Sequence, residues 1–293
     1  MATSENPFLA LKARLVLLIF LAISLTMALV FSILGALELM PLQGGDPILA
    51  PILYSLVFSG LCLSIVAAAR RSPIHLAALF GPWPRQLAWV QLLWLVVGVF
   101  LFSQGAFQVS YLGLSLVAPG WVEATLHQSL LLSPDQVTAP GFYNGLVLFS
   151  VVVVAPITEE FIFRGVLLHR WGVKWGIRPA IVMTSILFGM LHSNLVGLFV
   201  FGVVMALLYL STRSLLVPMV AHALNNAIAS SIDFLTAQPT ANTLTTLAEF
   251  RANWWLGLVC LLVSAPWVLR YVAYHWPDAQ TPLPYFTNQG YRS

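Results

Sequence analysis

Residues 15–37 read LVLLIFLAISLTMALVFSILGAL, an apolar run without a single charged side chain. At 1.5 Å of rise per residue, about 20 such residues cross a hydrocarbon core of roughly 30 Å. No water there can satisfy backbone N–H and C=O groups, so a run of this kind must close its own hydrogen bonds as a helix. The run begins near residue 14, and seven more follow, at about 48–69, 87–110, 142–170, 179–195, 196–212, 214–235 and 252–273. The pattern predicts an all-α polytopic membrane protein, with about eight transmembrane helices around a buried polar site. It forms a single membrane domain over 1–293, in which 14–141 holds the first three helices and an outer segment, 142–230 the core, and 252–293 the last helix and tail.

Composition agrees. The chain is 59% hydrophobic and 8% charged, with mean hydropathy +0.89, whereas a soluble domain carries about 25% charged residues. Cys62 and Cys260 lie in apolar runs without CxxC or Cys/His spacing, which speaks against a disulfide framework or a cysteine metal site. The first run is too long for a signal-peptide core and reads as a retained helix.

The net charge of +3 is no nucleic-acid signal, because topology accounts for its distribution. With the N-terminus cytoplasmic, twelve of the thirteen Lys and Arg fall on the inner side, and Arg251 alone falls outside. Both termini are therefore expected in the cytoplasm, and the membrane is expected to be a bacterial inner (plasma) membrane. Within 111–141, WVEATLHQSLLLSPDQ suggests a short amphipathic helix on the membrane surface. Trp83, Trp89, Trp254, Trp255, Trp267 and Tyr274, near span ends, read as interfacial anchors.

The anomaly is APITEEFIFRG at 155–165, which sets three charges in the fourth apolar run. Each costs roughly 3 kcal/mol on insertion scales, so such residues mark a use. Neighbours on a helix point about 100° apart, while i and i+4 share a face. Glu160 and Arg164 therefore stack as an ion pair, which alone reads most simply as a helix lock. Glu159 points elsewhere, without a partner in its own helix. A carboxylate in a low-dielectric site can serve as a general base.

Two histidines follow: His192 in SILFGMLHSN, one turn after Phe188, and His222 in PMVAHALNNA, one turn before Asn226. Depth along the helices lets them converge: Glu159 lies about 16 Å from Arg170, His222 roughly 12 Å from Ser214, and His192 about 21 Å from Arg178. Gly189, Gly202 and Ala206 offer small surfaces for close helix contact. Glu159 with His192 can hold and deprotonate a water, while His222 and Asn226 stabilise an oxyanion on a scissile carbonyl. The same Glu159, His192 and His222 could instead hold a divalent metal such as zinc that activates the water. His75, His127, His169 and His275 sit in loops or at helix ends and read as solvated.

E-E-x-x-x-R (Glu159, Glu160, Arg164), F-x-x-x-H (Phe188, His192) and H-x-x-x-N (His222, Asn226), in that order on consecutive helices, resemble the CPBP family. These are the CAAX prenyl protease 2 and Abi, bacteriocin-processing, intramembrane endopeptidases. The resemblance covers about 142–230 and implies about eight transmembrane helices around a cavity open to the cytoplasm. It implies peptide-bond hydrolysis on membrane-associated substrates, prenylated or bacteriocin-like, by a metallo- or glutamate-dependent mechanism. Carried over by position, Glu159 resembles the water-activating glutamate, His192 its partner, and His222 with Asn226 the oxyanion pair. Partners implied are a membrane-embedded or lipidated peptide and the bilayer, not nucleic acid. H-E-x-x-H and G-x-S-G are absent, and the nearest approach to G-x-G-D is QGGD at 43–46, in a turn expected on the outer side. The rival readings are an ion- or proton-coupled transporter and a non-catalytic scaffold or immunity protein.

Overall fold

The computed structural model describes residues 6–38, 46–70, 74–128, 130–132, 137, 139–236 and 246–289. Most of the PLQGGDP turn, Arg71, Arg292 and residues 133–136 of the outer segment lie outside the described residues. Each apolar run becomes a helix: α1 (Ala13–Ala36), α2 (Leu49–Arg70), α3 (Trp89–Ser115), α4 (Pro140–Trp175), α5 (Ile177–Met190), α6 (Leu195–Thr212), α7 (Leu216–Thr236) and α8 (Trp254–His275). No strand occurs among the described residues.

Among the described residues, six of these helices are long and apolar enough to cross a membrane. The chain is thus a multi-pass, all-α membrane protein. The two helices that fall short are informative. α5 has only 14 residues, less than the roughly 20 a full crossing needs. α7 has 21 residues, but His222, Asn225, Asn226, Ser230, Ser231 and Asp233 dilute its apolar character. These helices carry or adjoin the polar site, and their sequences serve it.

Close helix contact is made where glycines remove the obstacle. At the crossing of α3 and α8, a Cβ on Gly105 would lie 2.7 Å from the Gly257 carbonyl oxygen and 2.8 Å from Leu261 Cγ. Between α5 and α6, a Cβ on Gly202 would meet Ser185 Cα and Cβ at 3.0 Å, and one on Gly189 the Leu195 carbonyl at 2.6 Å. Ala206 is fully buried beside them. Gly176, at φ +91°, turns α4 into α5 through a backbone conformation that side chains rarely tolerate.

α1 packs along α2, where Ile23 meets Gly60, and leaves Leu17, Leu18, Leu25 and Leu29 exposed. Such a face is suited to lipid, which is as apolar as leucine. The tryptophans read as interfacial anchors, and Tyr274 with them, are all exposed. The outer segment contributes a short helix, Pro119–Leu126. A second short helix, Leu247–Ala252, is started by a Thr246/Glu249 capping box, whose hydrogen bonds hold the Glu249 carboxyl below the usual range.

The α3–α8 contact gives the first prediction. Gly105→Val should destabilise the protein by about 1–3 kcal/mol through overpacking against backbone. Gly113→Ala, where nothing lies within 4 Å, should stay within about 0.5 kcal/mol of wild type. Thermal unfolding in detergent micelles compares the two.

Candidate active site

The helix that carries the acidic pair is irregular. Two π-helical stretches, Ser150–Val154 and Phe161–Leu167, bracket the α-helical turn Ala155–Glu160. Wide turns of this kind recur at functional sites. Here they flank the pair on both sides.

Glu160 and Arg164 are 0% and 1% exposed, so both charges need partners inside the protein. Arg164 Nη1 donates to Glu160 Oε1 at 2.9 Å, and Nη2 donates to the Gly202 carbonyl, also at 2.9 Å. The guanidinium lies 4.8 Å from the centroid of the Phe188 ring, within cation–π range. His222 Nδ1 reaches the same Glu160 Oε1 at 2.9 Å. One ion pair thus engages α4, α5, α6 and α7.

Glu159 has a different environment. The Tyr54 hydroxyl, on α2, donates to its Oε1 at 2.7 Å. Its Oε2 is buried without a hydrogen-bond partner among the described residues. Glu159, Tyr54, His192, His222, Asn225 and Asn226 line one cavity of about 540 Å³, whose remaining wall is largely apolar. Glu160 and Arg164 stay behind that wall. One carboxylate is taken up by the ion pair, and the other lines the cavity.

His192 is not inside a helix, as the apolar run suggests. α5 closes at Met190, and His192 sits in the turn before α6, exposed on the cavity side. The physical reason is the short helix: the Leu191 N–H caps back onto the Phe188 and Gly189 carbonyls, and Asn194 starts α6 by accepting from Gly197 N–H at 3.1 Å. α3 pins this turn. Tyr111 donates to the Ser193 carbonyl at 2.9 Å, and Asn194 Nδ2 donates to the Ser103 carbonyl at 2.8 Å.

The F-x-x-x-H spacing acquires a meaning here. His192 Nδ1 lies 2.7 Å from the Phe188 carbonyl. A carbonyl only accepts, so Nδ1 carries the proton and Nε2 of the neutral ring is left as an acceptor. His222 follows the same logic. With Nδ1 bound to the Glu160 carboxylate, its Nε2 accepts in the neutral ring and donates only in the imidazolium form. Asn226 Nδ2 donates to the Val151 carbonyl at 2.7 Å, inside the first π-helical stretch, and its amide keeps a second N–H.

As a metal set, Glu159, His192 and His222 do not fit as they stand. No group of three His, Cys, Asp or Glu side chains among the described residues is arranged to hold an ion. Glu159 Oε1 and both Nδ1 atoms are engaged by Tyr54, Phe188 and Glu160, which leaves Nε2 of each neutral ring as the nitrogen that could face an ion.

Three further residues belong to the site. Tyr54 gave no signal, because one tyrosine in an apolar helix reads as packing. Asn225 sits beside the recognised Asn226, with Oδ1 buried and unpartnered among the described residues. Ser150, another lining residue, shares a 2.9 Å hydroxyl contact with Ser55 of α2. His169, read as solvated, is instead fully buried. Its Nδ1 meets the Arg164 carbonyl at 3.1 Å, its Nε2 accepts from Tyr285 N–H at 3.3 Å, and Phe8 stacks on its ring. The chain returns from both ends to cover this part of α4, which a linear reading of a helix end does not reveal.

Residues 142–228 match the family model of the Rce1-like type II CAAX prenyl endopeptidases. Over this segment the chain is similar to the CPBP family. It is 30% identical over 143 residues, 47% of its length, to the Bacillus subtilis (strain 168) protein described as "Putative membrane peptidase YdiL". The match spans 54%, about half, of that relative. No solved structure matches the chain significantly. The matched segment contains Glu159, Glu160, Arg164, Phe188, His192, His222 and Asn226, and excludes Tyr54.

The buried pair gives the second prediction. Arg164→Met should destabilise by about 3–5 kcal/mol, because Glu160 keeps its charge without its main partner. Adding Glu160→Gln should recover part of that loss. Unfolding in mixed micelles, measured for both single variants and the double variant, tests the coupling.

Proposed function

We propose that the protein is an intramembrane endopeptidase of a bacterial inner membrane, with both termini cytoplasmic. Its substrates are membrane-embedded or lipidated peptides, prenylated or bacteriocin-like. The observation that carries the reading is the cavity at which Glu159, His192, His222 and Asn226 converge while Glu160 and Arg164 neutralise each other behind it.

In this reading a water sits between the Glu159 carboxylate and His192 Nε2, both acceptors. Its oxygen attacks the scissile carbonyl carbon as Glu159 takes a proton. The C=O electron pair moves onto oxygen, and the resulting oxyanion meets the second N–H of Asn226 and the Nε2–H of imidazolium His222. The tetrahedral species collapses, the C–N bond breaks, and Glu159 returns its proton to the leaving amine. Water supplies the hydroxyl of the new carboxyl and one hydrogen of the new amine, so atoms and charge balance. The remaining walls, with Pro51, Leu130, Tyr143 and Val147, suit apolar substrate side chains. No three His, Cys, Asp or Glu side chains among the described residues are arranged to hold an ion, which favours this glutamate route over a zinc-centred one.

The test is cleavage by purified protein of a panel of tethered peptides, prenylated and unprenylated. Glu159→Gln should lower the rate by about 10²–10⁴-fold without shifting the unfolding temperature downward, and wild-type cleavage should survive stringent chelation. Cleavage lost to chelator and restored by zinc would overturn the glutamate route. Transport or peptide binding that persists in Glu159→Gln, with no peptide cut by wild type, would overturn the protease reading.

A further inference from the structure

We infer that Tyr54 is a positioning residue for Glu159, and that α2 therefore forms part of the catalytic apparatus although it lies outside the segment that matches the family. The inference rests on the protease reading for its kinetic consequence, but its geometry stands alone. A carboxylate has two oxygens, and here their fates differ. Oε1 accepts the Tyr54 hydroxyl at 2.7 Å, while Oε2 has no partner among the described residues. Rotation about the last side-chain bond would exchange the two oxygens, and the Tyr54 bond resists that exchange. The carboxylate is thereby held in one orientation at the cavity wall.

Tyr54 is itself held in place. Its ring stacks on Phe58, one turn along α2, with centroids 4.5 Å apart. The same face of α2 is tied to α4 by Ser55 with Ser150 at 2.9 Å, by the Ser150 hydroxyl on the Pro51 carbonyl at 3.4 Å, and by the Cys62 thiol on the Thr158 carbonyl at 3.7 Å. These contacts dock α2 on α4 on both sides of Tyr54, while the stacked Phe58 ring orients the phenol itself. A phenol that served only packing would not need its oxygen aimed at the one carboxylate facing the cavity. Tyr54 lines that cavity too, so the bond is made at its wall.

The experiment compares wild type, Tyr54→Phe, Ser55→Ala and Glu159→Gln. Tyr54→Phe removes one oxygen and keeps the stacked ring. Ser55→Ala removes a neighbouring α2–α4 contact from a residue that does not line the cavity. Infrared difference spectra identify the Glu159 carboxyl band by its loss in Glu159→Gln. That band should shift in Tyr54→Phe and hold its position in Ser55→Ala. With the peptide of the panel that is cut fastest, Tyr54→Phe should lower kcat about ten- to hundredfold and leave KM within about twofold, while Ser55→Ala keeps the wild-type kcat.

An unshifted band in Tyr54→Phe overturns the inference, whatever the kinetics. So does a shifted band with unchanged kcat, or an equal kcat loss in Ser55→Ala, which would mean that α2 docking alone matters. A wild-type protein that cuts no peptide counts against the protease reading, and the infrared comparison then still decides whether Tyr54 holds Glu159.

Discussion

A guanidinium buried to 1% exposure is the constraint around which the rest of the bundle is arranged. Taking an ion out of water costs several kcal/mol, and only good geometry with additional hydrogen bonds offsets it. Arg164 obtains that geometry from three directions: a carboxylate one turn back on its own helix, a backbone carbonyl on α6 and an aromatic face on α5. The α6 carbonyl belongs to Gly202, whose missing side chain lets α6 press against Ser185. His222 then brings α7 to the same carboxylate oxygen. A bundle without hydrophobic drive between its helices needs such polar contacts and small residues to define its packing. Gly202 serves as both.

That arrangement has a chemical consequence. Adjacent carboxylates near one cation could share it, and neither would then be a clean base. The 100° step between neighbours prevents sharing: the arginine's hydrogen bonds go to Glu160 and Gly202, and Glu159 is turned to the cavity. The structural ion pair and the free carboxylate are two outcomes of one helical repeat. Phe188 links the two parts of the site, since its ring lies beside Arg164 and its carbonyl holds His192.

Much of this was legible from residue order, and what was not has identifiable causes. The i, i+4 rule separates Glu159 from Glu160 without any coordinates, and small residues announce the α5–α6 contact. The apolar run continues through His192 and predicts helix there. The helix end depends on Asn194 capping α6 and on α3 holding the turn, which are long-range contacts. The π-helical stretches around the acidic pair carry no composition signal that distinguishes them from ordinary helix. His169 looked solvated because burial there is supplied by Phe8 and Tyr285, far away in sequence. Tyr54 and Asn225 were missed for the same kind of reason. A polar group in an apolar helix announces a partner but not which partner.

The division of the chain into helices of unassigned role and a recognisable core also changes meaning. Every ionisable group that faces the cavity with a proposed chemical role lies within 142–228, yet two of them are held by residues outside it. α2 holds Glu159 through Tyr54, and α3 holds the turn of His192 through Tyr111 and Ser103. A base that must accept from a water shared with a second acceptor is sensitive to displacements of about 1 Å. In the proposed mechanism the matched segment supplies the reacting atoms, and the first helices supply their aim.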